Sequence, residues 1–80
     1  MNREEIIDRL TDIFQDVLDR DDISLTDQTT AQDIEEWDSL SHVQLIVAIE
    51  RQFGIRFTSR EIMMWQNVGQ MTDSLMQKLN

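Results

Sequence analysis

EEWDSLSHVQLIVAI, residues Glu35 to Ile49, contains an abrupt change of character. A polar, acidic segment closes on Trp37, and a long apolar helix begins at once. Asp38 stands at the boundary, where its carboxylate suits the N-cap and can accept from the free backbone N–H groups of Leu40 or Ser41. The helix should continue to Phe53, with Gly54 as its stop. At about 100° per residue, Leu45, Ile46, Ile49 and Phe53 make one apolar face, and Leu40, Val43 and Val47 make a second stripe. Together they span about half of the circumference or more, wider than packing on one side requires. Either the helix is sandwiched inside a bundle or the second stripe is offered to partners. The residues leave both open.

On the N-terminal side, residues 20–37 (RDDISLTDQTTAQDIEEW) break the helical period. Their Asp, Ser and Thr side chains compete for backbone hydrogen bonds and predict a long ordered loop with a short turn. Ile23, Leu25, Ala31, Ile34 and Trp37 are positioned to pin that loop to the core. Before it, Ile6, Ile7, Leu10, Ile13, Phe14, Val17 and Leu18 recur at three- and four-residue steps, so the first helix should run from about residue 3 to about residue 19. Asn2 and Glu5 would cap it. On the C-terminal side, TSRE (Thr58 to Glu61) is a capping box opening a short third helix. NVGQ (Asn67 to Gln70) reads as another, opening a fourth through Met71, Leu75, Met76 and Leu79. Met63, Met64 and Trp65 read as core and helix-three packing. The expected fold is all-α, a four-helix bundle with a long loop between helices 1 and 2 and a short helix 3, in a single domain over residues 1–80.

Sixteen acids against seven Lys and Arg leave a net charge of −9. Such a surface repels phosphate backbones and anionic membranes, which argues against nucleic acid and membrane insertion and for basic protein partners. There is no cysteine and one histidine, so neither a disulfide framework nor a recognisable metal-ligand set is available. No stretch approaches the roughly 20 apolar residues of a membrane span. A cytoplasmic monomer is the expectation.

The triplet Asp38-Ser39-Leu40 recurs as Asp73-Ser74-Leu75. Ser39 would be the first residue inside helix 2, where free N–H groups and the positive end of the helix dipole favour an attached anion such as a phosphate. Ser74 lies about two turns into helix 4 between core residues, so the second triplet reads as coincidence. An enzyme would pair Ser39 with His42, one turn away, but no orienting third member is apparent and so short a chain cannot enclose a substrate. His42 reads instead as a surface residue in contact with a partner.

WDSLSHVQLIVAIERQFGIRF resembles the phosphopantetheine attachment region of acyl and peptidyl carrier proteins. The matching positions are Asp38, Ser39, Leu40, Val43, Leu45, Ile49, Glu50 and Phe53, and the helix order extends the resemblance over nearly the whole chain. It implies that the protein is a carrier rather than an enzyme. Ser39, flanked by Asp38 and Leu40, would hold 4′-phosphopantetheine through a phosphodiester, attached from coenzyme A by a Mg²⁺-dependent phosphopantetheinyl transferase. The thiol of that group would carry an acyl or aminoacyl chain as a thioester to acyl-loading and acyl-processing enzymes. Leu40, Val43 and Val47 would supply apolar docking contacts, and Glu35, Glu36, Asp38 and Glu50 would steer toward basic patches. Two features depart from the family pattern. No glycine precedes the triplet, with Trp37 adjoining it instead, and Gln44 and Arg51 stand where acids are common. The alternative is an acidic helical interaction module without a prosthetic group, using the same apolar stripe.

Overall fold

The computed structural model describes residues 1–79. Its elements are α1 (Arg3–Val17), a 3₁₀ turn at Ala31–Asp33, α2 (Ser39–Phe53), α3 (Ser59–Met64) and α4 (Val68–Leu79). The fold is an all-helical four-helix bundle. The core is built from Ile6, Leu10, Ile13 and Phe14 of α1, Leu45 and Ile49 of α2, and Val68, Met71 and Leu75 of α4. α1 packs against both α2 and α4, while α3 leans on α4.

Helix limits follow from local chemistry. Asn2 and Glu5 form the reciprocal capping box that opens α1, and Thr58 and Glu61 do the same for α3. α1 ends at Val17, two residues short of the expected limit, because Asp19 enters the left-handed region at φ 55°. The Arg20 N–H then reaches back to the Gln15 carbonyl at 3.0 Å, closing the helix end in a Schellman arrangement. An aspartate tolerates that conformation, so no glycine marks the stop. Gly54 ends α2 in the same way at φ 66°. At α4 the expected box is only half formed. Asn67 Oδ1 accepts from the Gln70 N–H at 2.9 Å, but Gln70 Oε1 turns to the Gln66 N–H instead of Asn67.

The long loop is a packed part of the structure. Ile23, Leu25, Ile34 and Trp37 are buried, whereas Ala31 lies exposed on the 3₁₀ turn. Loop carbonyls also satisfy the N-terminus of α4: Val68 N–H donates to Thr29 at 2.8 Å and Gly69 N–H to Asp27 at 2.9 Å. Arg3 ties three parts of the chain together, donating to Asp27, Asp73 and the Gly69 carbonyl. Lys78 pairs with Glu61 at 3.0 Å and fastens α3 to α4.

α3 corrects one expectation. Met63 and Met64 are 83% and 68% exposed, so neither packs in the core. Trp65 alone of that trio turns inward, its ring edge-on to Phe57 at 4.7 Å. A helix of six residues is too short for periodicity to say which side faces in.

Gly69 is where the loop and α4 come closest, since a Cβ there would lie 2.8 Å from the Asp27 carbonyl oxygen. Alanine is the better helix former by about 1 kcal/mol, yet this contact is with backbone held by two hydrogen bonds. Gly69→Ala should therefore lower unfolding stability by a net amount of about 1–3 kcal/mol, read as a lower urea midpoint at unchanged slope. An unchanged or higher midpoint would show that the loop yields at that point.

Candidate functional site

Ser39 is the first residue of α2 and is exposed. Among the described residues, neither its hydroxyl nor its N–H has a hydrogen-bond partner. Asp38 and Ser41 beside it are engaged in the helix cap. The Asp38 carboxylate accepts from the N–H groups of Leu40 at 3.1 Å and Ser41 at 2.9 Å. The Ser41 N–H is the main reason that the Asp38 carboxyl titrates below its usual range. Ser41 reciprocates: its Oγ accepts from the Asp38 N–H and donates to the Glu36 carbonyl, each at 2.8 Å. Ser41 is buried and tied, while Ser39, two residues away, is exposed and free. The spacing Asp-x-x-Ser was the available sign of this box, and sequence reading credited only its aspartate.

Trp37 closes the inner side of the site. Its ring meets Phe14 edge-on, with centroids 4.9 Å apart, and its Nε1–H donates to His42 Nδ1 at 3.0 Å. Because an indole nitrogen only donates, Nδ1 must be bare, and the neutral imidazole carries its proton on Nε2. His42 is half-buried rather than a surface residue, and that burial pushes its pKa down. No hydrogen bond joins Ser39 to His42, so the pair is not a nucleophile and base. The turn before α2 also accounts for the missing glycine, since no residue between Ala31 and Asp38 adopts a positive φ.

A cleft of about 360 Å³ opens beside Ser39, with Trp37 and His42 on one side and Trp65, Asn67 and Met71 on the other. Outside it, Leu40, Val43 and Val47 are 72%, 59% and 43% exposed. The broad apolar surface of α2 is therefore divided, with one face in the core and one stripe in solvent. The expected steering acids differ in their freedom. Glu35 is exposed and carries no partner among the described residues. Glu36 pairs with Arg20 at 2.9 Å, whose hydrogen bond lowers the Glu36 pKa. Glu50 is half-buried and turns its Oε2 to the Phe57 N–H at 2.9 Å. Arg51 is exposed on α2. Ser74 has a structural task that the sequence did not reveal: its Oγ accepts from Trp65 Nε1 at 2.9 Å. Among the described residues no cluster of three or more His, Asp or Glu could hold a metal, and no helix is long and apolar enough to cross a membrane.

Comparison with known proteins gives this geometry a context. Residues 8–75 match the family described as "Phosphopantetheine attachment site". Comparison with curated proteins gave no match. The solution NMR structure of a holo acyl carrier protein from Geobacter metallireducens is similar at 46% sequence identity, with 92% of this chain and 85% of that chain covered and a TM-score of 0.88. The start of α2 suits a phosphate-linked arm: Ser39 offers a free hydroxyl, its own N–H lacks an acceptor, and the residue lines the cleft.

The Asp38 cap gives a pH-dependent prediction. With its pKa depressed in the fold, Asp38 stabilises the first turn of α2 above its unfolded pKa, and that contribution is lost as pH falls through the lower folded value. Amide hydrogen exchange at Leu40 and Ser41 should therefore lose protection on acidification in the parent chain but keep it in Asp38→Asn, whose amide oxygen caps at any pH. Equal loss in both chains would place the acid-sensitive contact elsewhere.

Proposed function

This chain belongs to the phosphopantetheine attachment family, and from that membership we propose that Ser39 carries the group. The protein is an acyl carrier, not an enzyme. Its covalent 4′-phosphopantetheine, when attached, supplies a thiol that holds an acyl group as a thioester. Its partners are a phosphopantetheinyl transferase and acyl-processing enzymes.

The observation supporting Ser39 is the contrast between two neighbouring hydroxyls. Ser41 is buried and spends its oxygen on the helix cap, while Ser39 is exposed with its oxygen uncommitted. In loading, Ser39 Oγ forms a bond to the phosphorus that bears pantetheine, and the bond from that phosphorus to the nucleotide half of coenzyme A breaks, the nucleotide leaving with the electron pair. The hydroxyl proton goes to a base on the transferase, because among the described residues no base is hydrogen-bonded to Oγ. The resulting phosphodiester lies at the N-terminus of α2, where the dipole favours an anion by about 0.3–1 kcal/mol.

Docking follows from the exposed stripe. Leu40, Val43 and Val47 supply apolar contact, and Glu35, with Asp38 beside the attachment point, meets a basic patch on the partner. Glu36 and Glu50, engaged within the chain, add to the long-range field rather than to direct contacts. Residues 1–80 act as one carrier domain and as a monomer in the cytoplasm, with acyl or aminoacyl cargo.

Incubation with coenzyme A, Mg²⁺ and a broad-specificity phosphopantetheinyl transferase should add one phosphopantetheine to the parent and to Ser74→Ala, by intact mass, and none to folded Ser39→Ala. Loading of Ser39→Ala would sink the assignment. Val43→Asp should reduce kcat/KM for loading by about tenfold, roughly 1.4 kcal/mol, with helicity by circular dichroism unchanged. An unaltered rate would remove the stripe from the transferase interface.

A further inference from the structure

Trp37 holds His42 in one tautomer and one orientation. With Nδ1 accepting from the indole, the only proton of the neutral ring is on Nε2. That nitrogen has no partner among the described residues. Yet no buried side-chain nitrogen or oxygen lacks one, so Nε2 must be reachable from outside. Both His42 and Ser39 line the cleft, and their i, i+3 spacing puts them on neighbouring faces one turn apart, with Cβ atoms typically about 5–6 Å apart. The donor thus stands, fixed by a buried tryptophan, beside the hydroxyl that would bear a phosphate. Among the described residues nothing else uses it.

We propose that His42 is a binding residue for the prosthetic arm, its Nε2–H donating to an oxygen of the phosphodiester on Ser39. This rests on Ser39 being the attachment residue. The other groups around the cleft bring no cation to compete for the phosphodiester. Asp38 is the one carboxylate lining it, and its Oδ1 accepts from Leu40 and Ser41. The loop contributes Ala31 and Trp37, and the α3–α4 side contributes Trp65, Gln66, Asn67 and Met71, none of them charged.

The contact couples loading to protonation. In the unloaded chain, protonating His42 places a second proton on Nδ1, facing the Trp37 N–H and breaking the bond between them. A phosphodiester anion beside Nε2 offsets that loss by turning the remaining bond into a charge-assisted one. His42 should therefore titrate at higher pH in the loaded chain than in the unloaded one.

The test is a ³¹P titration of the loaded protein from roughly pH 5 to 8, the range in which histidine changes charge, alongside ¹⁵N spectra of the imidazole. A phosphodiester does not titrate there, and the sequence has one histidine. One inflection of the ³¹P shift is expected, shared with the His42 ring nitrogens and absent from loaded His42→Asn. In that variant the amide oxygen can take the place of Nδ1 and keep the Trp37 acceptor. A flat ³¹P shift in the parent, or an inflection that persists in His42→Asn, overturns the proposal. Should His42→Asn fail to fold, the parent alone decides: a His42 midpoint equal or lower after loading overturns the proposal. Absence of any ³¹P signal after loading, or its survival in Ser39→Ala, would instead refute the attachment residue.

Discussion

The buried Trp37 indole imposes the constraint on which the functional end of the molecule depends. A buried N–H without an acceptor costs about 1–3 kcal/mol, and here the acceptor is His42, one turn inside α2. The same ring packs edge-on against Phe14 of α1. A single side chain therefore fixes the last residues of the long loop, the start of α2 and the face of α1 behind them. The Asp38–Ser41 box completes the joint by satisfying the N–H groups of Leu40 and Ser41. Ser39 is left exposed, with its hydroxyl and N–H uncommitted among the described residues.

This joint also accommodates the departure from the family pattern before the triplet. A glycine before the triplet would provide a left-handed turn, but the segment here stays at negative φ throughout and needs none. The charge pattern has a comparable logic. Net charge is −9, yet near α2 Glu36 is paired with Arg20 and Glu50 is turned into the bend after the helix. With Arg51 also exposed, the surface of α2 is less acidic than the whole chain. Its exposed apolar stripe, Leu40, Val43 and Val47, is what the docking proposal rests on, while the global charge acts at longer range.

The helices were legible in the sequence because their signals are local: period, N-cap residue and C-terminal glycine. Ser39 was legible as a candidate because a cap, a serine and an apolar helix coincide at one boundary, and because the surrounding residues resemble a known family. What stayed hidden depends on contacts between distant segments. The exposure of Met63 and Met64 turns on which side of a short helix meets α4. The tasks of Ser74 and His42 are set by Trp65 and Trp37, whose indole directions no spacing rule provides. Gly69 looks like an ordinary helix residue until the Asp27 carbonyl is placed against it. The split of the α2 surface into a core face and a solvent stripe likewise needed the positions of the neighbouring helices.

The most direct measurement is fragmentation of the loaded parent chain to locate the added mass among its five serines. The account requires all of it on Ser39 and none on Ser41, although both lie within the same turn and any enzyme reaching one is near the other. Modification of Ser41, at an oxygen that the structure buries in the helix cap, would contradict the arrangement described for the start of α2.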